Sequence, residues 1–409
     1  MRLGGKAVSR PEEADLIVLN SCVVRRSAEE RVYGRLSSLK PLKRQRPEIL
    51  IALIGCAVGP DSSPLQERFP FVDLFLRPGD IEPLLEMLKP SLTIPHSPFS
   101  IPHPPCAYVP VIYGCDNFCT YCIVPYRRGR ERSRPASEIV AEVQDLVRRG
   151  AREVTLLGQN VDSYGHDLPG RPDLADLLEA VHDVEGLWRI RFLTSHPKDM
   201  SDKLIETVSR LPKVCEHIEL PVQSGDDEIL KRMGRGYTVE RYLDLVERIR
   251  RAIPGLSLVT DVIVGFPGET EEQFMNTYNL LEELRFDMVH VAAYSPRLET
   301  AAAHLPDDVP PEEKESRRRA IEELQEKIAG EINRKLVGET VEILVEERHK
   351  GKWKGRTRTN KLVFFQASGQ ESYQGRLVKV CITWAGPWSM QGEPREQAFL
   401  RPVVLSATS

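Results

Sequence analysis

The stretch Gly114–Cys122, GCDNFCTYC, holds Cys115, Cys119 and Cys122, three of the chain's eight cysteines. It follows directly on AYVPVIY (Ala107–Tyr113), an apolar run that predicts a buried strand. In parallel α/β folds ligands bind at the carboxyl ends of the strands. The cysteines therefore lie where such a fold places a cofactor.

The composition predicts a globular protein of two or three domains. The chain has 409 residues, of which 41% are hydrophobic and 28% charged. Its net charge of -4 argues against a globally basic nucleic-acid binder but allows local basic patches. The longest apolar stretch, ILIALIGCAVG from Ile49, is too short to span a membrane, and no secretory signal is visible. We therefore expect a monomeric cytoplasmic protein without membrane contact.

Metal binding is the chemistry that the cysteine cluster favours, since disulfides are rare in a reducing compartment. A closed zinc site needs four ligands, and the next histidine, His166, lies far along the chain. Iron–sulfur clusters are held by cysteine thiolates, and three ligands would leave one iron open for a substrate. A three-thiolate catalytic zinc and three unconnected structural cysteines remain as alternatives.

The N-terminal region, residues 1–90, has the pattern of a small Rossmann-like α/β domain. Ala14–Asn20 and Ile49–Gly55 are uniformly apolar, which predicts parallel strands covered on both faces. Between them Ser27–Leu39 predicts a helix with its first serine as N-cap. The segment 91–106, rich in proline and without periodicity, is interpreted as a linker.

The middle region, residues 107–336, alternates strands with helices and predicts a parallel sheet with right-handed crossovers. Six strand–helix units are fewer than the eight of a closed barrel, so an open sheet and a partial barrel both fit. Thr270–Gln273, TEEQ, is typical of a helix-opening capping box. The predicted strands are Ala107–Tyr113, Glu153–Leu157, Trp188–Leu193, Cys215–Pro221, Leu256–Gly265 and Asp287–Tyr294.

The last region, residues 337–409, contains short strands separated by turn residues and predicts a small all-β, OB-like barrel. Its basic run RHKGKWKGRTRTNK includes Lys352, Lys354 and Arg356, which suit contact with RNA. A solvated hairpin is the alternative. Arginines also follow the cysteine cluster, and they are interpreted either as phosphate contacts or as a solvated basic turn: Arg127, Arg128 and Arg130.

The motif Cys-x3-Cys-x2-Cys after a first strand resembles that of the radical S-adenosylmethionine enzymes. The surrounding GCDNFCTYCIVPYRRGRERSR resembles the MiaB-type tRNA methylthiotransferases, and LPVQSGDDEILKRMGRGYT and TDVIVGFPGETEEQF resemble further motifs of that family. The resemblance covers nearly the whole chain. It implies a partial (β/α)6 barrel, a C-terminal TRAM domain, and methylthiolation of N6-isopentenyladenosine beside the tRNA anticodon.

The resemblance also implies cofactors and partners. Cys115, Cys119 and Cys122 would bind a [4Fe–4S] cluster whose open iron chelates S-adenosylmethionine. An electron donor and a sulfur source would be needed. Polar turns follow four successive predicted strands, and their recurrence on one rim indicates an S-adenosylmethionine pocket that includes Gln159, Asn160, Ser195 and Gln223.

A second cluster, used in sulfur delivery, is implied at Cys22 and Cys56, each after a buried strand. Its third family cysteine follows an initial strand that is missing here, so we expect a shortened reading frame and at most a labile second cluster. S-adenosylmethionine should then be cleaved with little methylthio product. The alternatives are an enzyme that acts on another tRNA adenosine or on a ribosomal protein, and an RNA-binding iron–sulfur protein without turnover.

Overall fold

A computed structural model of the chain describes residues 8–21, 26–88, 104–367 and 371–395. Within these residues no helix is both long enough and apolar enough to cross a bilayer. The chain packs as two compact units. The first unit comprises Met1–Ser100, Gly114–Glu131 and Ser295–His304, and the second comprises Ile101–Tyr113, Arg132–Tyr294 and Leu305–Ser409.

The first unit contains a small parallel sheet and four described helices. These elements are β1 (Leu16–Ser21), β2 (Leu50–Gly55), β3 (Leu74–Leu76), α1 (Arg26–Gln45), α2 (Ser63–Arg68), α3 (Glu82–Leu88) and α4 (Val124–Arg128). The strand order is β1-β2-β3, with β1 and β3 both parallel to β2. The side chains of Ile51 and Leu53 in β2 are fully buried and pack in one cluster with Leu36 of α1. The parallel sheet predicted from the apolar runs is thus confirmed.

Helix α1 differs from its prediction at both ends. It begins at Arg26, so Ser27 lies inside the helix and is not its N-cap, and it continues past Leu39 to Gln45. The extension is stabilised by Lys43, whose Nζ donates to the carbonyl oxygen of Ile49 at 2.5 Å and to the carboxylate of Asp73 at 2.9 Å. Such contacts between distant residues leave no signal in local periodicity.

The second unit begins with the strand–helix alternation that the sequence predicts. Its elements up to the last long helix are β4 (Cys106–Pro110), β5 (Ile112–Tyr113), β6 (Arg132–Ser133), α5 (Ala136–Arg148), β7 (Glu153–Leu157), α6 (Leu174–His182), β8 (Arg189–Leu193), α7 (Asp202–Arg210), β9 (His217–Glu219), α8 (Asp227–Arg232), α9 (Val239–Ala252), β10 (Ser257–Val264), α10 (Glu271–Leu284), β11 (Met288–Ala293) and α11 (Pro311–Arg334).

Six parallel strands form the sheet of this unit. They pair as β4-β7-β8 and β9-β10-β11, and a parallel bridge between Ile190 and Val214 links the two halves. The helices cover the sheet with apolar faces and share one large core with it. Helix α10 opens with the predicted capping box, in which the Thr270 and Gln273 side chains each accept a hydrogen bond from the other's backbone N–H.

The predicted strand Ala107–Tyr113 is two strands, and it starts earlier than expected. Pro110 has no N–H to donate, and the chain leaves β4 there. After it β5 pairs antiparallel with β6, Ile112 opposite Ser133 and Tyr113 opposite Arg132. Cys106, expected in the linker, is the first residue of β4 and pairs in register with Glu153. Burial raises the pKa of its thiol well above the usual range.

The C-terminal region forms a closed five-stranded barrel in the order β12-β13-β14-β16-β15, as predicted for an OB-like module. Its core is fully apolar around Val345, Val363, Phe365 and Val380. The strands are β12 (Thr340–His349), β13 (Lys352–Thr357), β14 (Leu362–Phe365), β15 (Leu377–Ala385) and β16 (Met390–Pro394).

Buried arginines of the sheet bind the C-terminal barrel through its backbone. Arg189 donates to the carbonyl oxygen of Arg356 at 2.8 Å, and Arg191 donates to those of Arg358 and Thr357 at 2.6 and 2.7 Å. The Glu153 carboxylate accepts from Nε of Arg191 at 2.9 Å. Because Arg189 and Arg191 are two residues apart in β8, they point to one face, and the barrel docks there.

Candidate functional site

Residues 114–131, here called the cysteine loop, lie in the first unit and are closed by backbone hydrogen bonds. The N–H of Cys115 donates to the carbonyl oxygen of Gly129 at 3.2 Å. The N–H groups of Asp116 and Glu131 each donate to the other residue's carboxylate at 3.1 Å. Gly114 has φ +74°, and a Cβ there would lie 2.1 Å from the carbonyl oxygen of Arg130. Only glycine fits at this close approach.

The three predicted ligands sit on this loop with different exposure. Cys115 and Cys119 are buried and Cys122 is half-buried. Burial raises the pKa of the Cys115 thiol to about 11, while hydrogen bonding from Asn117 opposes the shift. Within the described residues, no three histidine, cysteine or acidic side chains are grouped closely enough to hold a metal ion. The loop therefore brings the thiols onto one short segment without gathering them at ligand distances.

Cys56 is buried next to the cysteine loop. It follows β2, and its Sγ accepts a hydrogen bond from Nε of Arg128 in α4 at 3.2 Å. Ile123 of the loop packs against Cys56 and Ala57. Cys22 lies outside the described residues, but Ser21 before it pairs in register with Gly55 before Cys56. The strands β1 and β2, predicted to be parallel, therefore end side by side.

The arginines after the cysteines have partners within the same unit. Arg127 forms an ion pair with Glu299 at 2.8 Å, and a Cβ at Gly59 would lie 2.0 Å from its Nη1. Arg128 is the donor to Cys56. Arg130 pairs with Asp116 at 2.9 Å but keeps 74% of its side chain exposed. Arg128 and Arg130 are both exposed, whereas Arg127 is half-buried.

The residues predicted to line a cofactor pocket cluster at the carboxyl ends of neighbouring strands in the second unit. Gln159 is half-buried after β7, and Asn160 is buried, with its Nδ2 donating to Asp199 at 2.7 Å. The Oδ1 of Asn160 has no hydrogen-bond partner among the described residues. Ser195 donates from Oγ to Asp162 at 2.9 Å. Asn160 and Ser195 lie on adjoining loops, because the N–H of Val161 donates to the carbonyl oxygen of Thr194 at 2.9 Å.

Gln223 joins the same rim through its backbone. Its φ is +71°, and its N–H donates to the carbonyl oxygen of Asp261 at 2.9 Å. The N–H of Ser195 donates to the carbonyl oxygen of Glu219, which ends β9. A left-handed backbone at a buried non-glycine residue is a strain typical of functional sites.

The sequence did not lead us to predict the acidic residues at this rim. Asp162 is fully buried, and burial raises its pKa to about 7 against the hydrogen bonds from Ser195 and His196. Burial and the charge of Asp261 raise the pKa of Glu219 to about 7. The alternation of Glu219 with apolar neighbours in HIEL is the one signal that could have indicated an inward-facing carboxylate.

The basic side chains of the C-terminal barrel, Lys352, Lys354 and Arg356, are here called the basic hairpin. They alternate along β13 and share one face of the strand. Lys352 donates to Gln391 at 2.8 Å, Lys354 pairs with Glu347 at 2.7 Å, and Arg356 with Glu346 at 3.3 Å. All three partly keep solvent contact.

Comparison with protein families divides the chain in three. Residues 109–281 match the radical SAM superfamily, residues 1–77 match uncharacterized protein family UPF0004, and residues 334–394 match the TRAM domain. Among solved structures, the radical S-adenosylmethionine methyltransferase TsrM from Kitasatospora setae superimposes with a TM-score of 0.55. At 14% identity, over 70% of this chain and 66% of that one, this similarity shows the fold.

Curated relatives match along almost the entire chain. The tRNA-2-methylthio-N(6)-dimethylallyladenosine synthase of Roseiflexus sp. (strain RS-1) is 54% identical over 95% of this chain and 84% of its own length. That of Chloroflexus aurantiacus is 53% identical over 96% and 86%, and that of Moorella thermoacetica 46% identical over 95% and 92%. With such identity across all three matched regions, the chain belongs to the family of the tRNA-2-methylthio-N(6)-dimethylallyladenosine synthases, whose central domain is of the radical SAM superfamily.

Proposed function

We propose that the chain is a tRNA methylthiotransferase that converts N6-isopentenyladenosine, at position 37 next to the anticodon, to its 2-methylthio derivative. The observation that carries this proposal is the identity of 54% with a synthase of that name over 95% of the chain. The three-cysteine loop supports it, because it offers the thiolates of a radical enzyme in one closed segment. Substrates from other classes have no comparable support in the fold.

Cys115, Cys119 and Cys122 are the proposed ligands of a [4Fe–4S] cluster. The residues fit this group, because they are three soft donors on a loop whose glycine approach and backbone hydrogen bonds fix its course. Binding of iron would require the three thiols to lose their protons, because the thiolate is the ligand form of cysteine. When bound, the cluster supplies the electron that cleaves S-adenosylmethionine to a 5′-deoxyadenosyl radical.

Gln159, Asn160, Ser195 and Gln223 are the proposed S-adenosylmethionine contacts. The unpartnered Oδ1 of Asn160 supports this role, since a buried acceptor is costly unless a ligand or water donates to it. Asp162 fixes the Ser195 hydroxyl and the neighbouring N–H of His196. These buried hydrogen bonds therefore hold the rim groups in place before a ligand binds.

Cys22 and Cys56 are the proposed ligands of a second cluster in sulfur delivery. The Arg128 hydrogen bond to Cys56 supports this role, because it places a cationic donor beside the sulfur. Iron analysis after anaerobic reconstitution separates the two sites. Cys56→Ala should leave about four irons per chain on the cysteine loop, whereas Cys119→Ala should remove those and block cleavage of S-adenosylmethionine.

The basic hairpin and Arg130 are the proposed tRNA contacts, with Arg127 and Arg128 contributing charge from their paired positions. The match of residues 334–394, which include the basic hairpin, to the TRAM domain supports this proposal. An electron donor and a sulfur source complete the reaction, and we propose a monomeric cytoplasmic enzyme.

The decisive experiment is incubation of the reconstituted, reduced protein with S-adenosylmethionine and isopentenylated tRNA. We expect abundant 5′-deoxyadenosine, together with a small yield of 2-methylthio-N6-isopentenyladenosine in the digested tRNA, both measured by mass spectrometry. A parallel incubation contains ribosomal proteins as well, and a modified ribosomal protein beside unmodified tRNA would reassign the substrate. An intact cluster with no 5′-deoxyadenosine would leave an RNA-binding iron–sulfur protein without turnover.

A further inference from the structure

The solvent-facing side of helix α1 carries cations without compensating acids. Residues 31–46 contain six lysines and arginines and no aspartate or glutamate, although acidic residues outnumber basic ones, 60 to 56, in the whole chain. Lys43 pairs with Asp73 at 2.9 Å. Lys40 and Arg44 are exposed, and neither forms an ion pair within the described residues. Their charges are therefore available to an anion from solution.

The stability of the helix does not account for this arrangement. Lys40 and Arg44 are four residues apart and thus neighbours on the helix surface, where like charges are destabilising. The helix dipole favours a cation in the last turn, which explains Arg44 but not Lys40. In α11, by contrast, Arg318 and Arg319 both pair with Glu315, at 2.7 and 3.0 Å. The uncompensated repulsion on α1 therefore points to an external anion.

A third cation, Arg68, is held in a fixed orientation beside α1. Its guanidinium carbon lies 4.6 Å from the ring centroid of Tyr33 in α1 and 5.2 Å from that of Phe69. The Tyr33 hydroxyl donates to Glu29 at 2.8 Å, which fixes the ring beneath the guanidinium. Arg68 is exposed and, in the part of the chain that the structure describes, has no carboxylate partner. A stacked guanidinium keeps its N–H edge for the two oxygens of a phosphate.

The three cations lie on one side of α1, and Arg68, Lys40 and Arg44 are here called the cationic row. Lys40 and Arg44 come seven and eleven residues after Tyr33, which is close to two and three helical turns. They therefore share the face of Tyr33, at about 10 and 16 Å from it along the axis. Arg35 is exposed as well, but a step of two residues turns it to the opposite side of the helix from Tyr33.

The cationic row begins beside the cysteine that is proposed for sulfur delivery. Tyr33, on which Arg68 stacks, packs against the cluster of Cys56, Ala57 and Ile123. Arg128, which donates to the sulfur of Cys56 at 3.2 Å, is exposed on the same unit. Successive exposed cations match the repeating charge of a nucleic-acid backbone, and phosphates receive a large share of protein–nucleic acid contacts.

We propose that the cationic row binds backbone phosphates of the RNA substrate, close to the nucleotide that is modified. The inference rests on the proposed function and deepens it, because it adds an RNA-binding surface in the first unit to the basic hairpin of the second. Arg68 binds one phosphate through its guanidinium edge, and Lys40 and Arg44 bind phosphates further along the strand. Such contacts position the RNA without reading its sequence.

The test measures the affinity of the full-length protein for an isopentenylated anticodon stem-loop RNA over a range of salt concentrations. The variants are Lys40→Gln and Arg44→Gln, singly and together, with Arg35→Gln as the matched control on the same helix. Each lost phosphate contact should lower the log–log salt slope by about 0.7 to 0.9 and the affinity at 0.1 M salt by roughly five- to eightfold. The double variant should combine the two losses, and Arg35→Gln should change neither quantity.

Arg68→Lys separates geometry from charge. Lysine keeps the cation but lacks the planar fork, so the affinity should fall while the salt slope stays that of the parent. Because Arg68 packs on two rings, the melting temperature of this variant is measured beside that of the parent. If it is lowered, the exposed Lys40 and Arg44 decide the test alone. Cleavage of S-adenosylmethionine without RNA should be the same in all variants.

The outcomes separate this inference from the proposed function. An unchanged salt slope in the double variant, with RNA bound by the parent, would overturn the inference and leave the proposed function intact. An equal loss in Arg35→Gln would also overturn it, because net charge alone would then explain the effect. Polyglutamate that competes with the RNA as well as unlabelled RNA does would assign the row to an acidic protein. A parent that binds no RNA would overturn both, and one that binds it without modifying it would contradict the proposed function alone.

Discussion

Substitution of Gly114 by alanine should weaken cluster binding without touching a cysteine. A residue other than glycine at φ +74° costs about 1–2 kcal/mol in backbone strain. The new Cβ would lie 2.1 Å from the carbonyl oxygen of Arg130 and 2.5 Å from that of Gly129. Relief of this clash moves Gly129 away from the N–H of Cys115 and forfeits that hydrogen bond, worth about 1 kcal/mol. The sum of about 2–3 kcal/mol shifts the loop roughly 30- to 150-fold toward open conformations.

The assay is iron retention. After anaerobic reconstitution, the rate of iron release to a chelator is measured for the parent and for Gly114→Ala, and it should rise in proportion to the open population. Gly79→Ala is the control, because Gly79 has a similar φ of +85° but no atom within 4 Å of its Cβ. The Gly79→Ala protein should be slightly less stable than the parent, and it should release iron at the parent rate. Release from Gly114→Ala at the parent rate would refute the view that the close approach at Gly114 holds the loop.

Three further perturbations test other parts of the structure. Arg191→Met should cost about 3–5 kcal/mol of unfolding free energy in urea titrations, because it leaves the buried Glu153 carboxylate without its closest cation; a cost below 1 kcal/mol would contradict this. Because the folded pKa of Glu219 is about 7 against 4.5 for the free side chain, its contribution to stability is complete below pH 4.5 and declines as the pH rises to 7. Glu219→Gln should therefore flatten the pH dependence of the melting temperature in that window, and an unchanged slope would argue against a raised pKa. Neutralising the basic hairpin should lower the log–log salt slope of tRNA binding by about one unit per lost phosphate contact, and an unaltered slope would assign the hairpin to solvent.

Strand existence could be predicted from the sequence because it depends on local patterns. The six parallel strands of the second unit and the closed C-terminal barrel follow from apolar runs bounded by turn residues, and the capping box at Thr270 follows from its four letters. The break after Pro110 was not predicted, although the proline, which cannot donate to a ladder, is a local signal for it. The length of α1 could not be predicted from local sequence. Its C-terminal extension is stabilised by Lys43, which binds Asp73, thirty positions away.

The site shows the same division between local and distant information. The cysteine motif and the rim turns lie next to strand ends, and their positions could be inferred from strand order alone. The hydrogen bond from Arg128 to Cys56 joins residues 72 positions apart, and no spacing indicates it. The inward-facing Arg189 and Arg191 had one local signal, the alternation in WRIRFL, but the alternation does not tell which groups receive their hydrogen bonds.

The attachment of the C-terminal barrel has a consequence for how RNA would be held. Arg189 and Arg191 bind backbone carbonyl oxygens of Arg356, Thr357 and Arg358, so the contact is independent of the side chains that the barrel carries there. The side chain of Arg356 belongs to the basic hairpin, whereas its carbonyl oxygen accepts the hydrogen bond from Arg189 in β8. Strand β8 ends at Leu193, two residues before the rim residue Ser195. Since buried charge-assisted hydrogen bonds keep a fixed geometry, RNA that bound at the proposed hairpin site would be held in register with that rim, and its binding energy could be used for orientation.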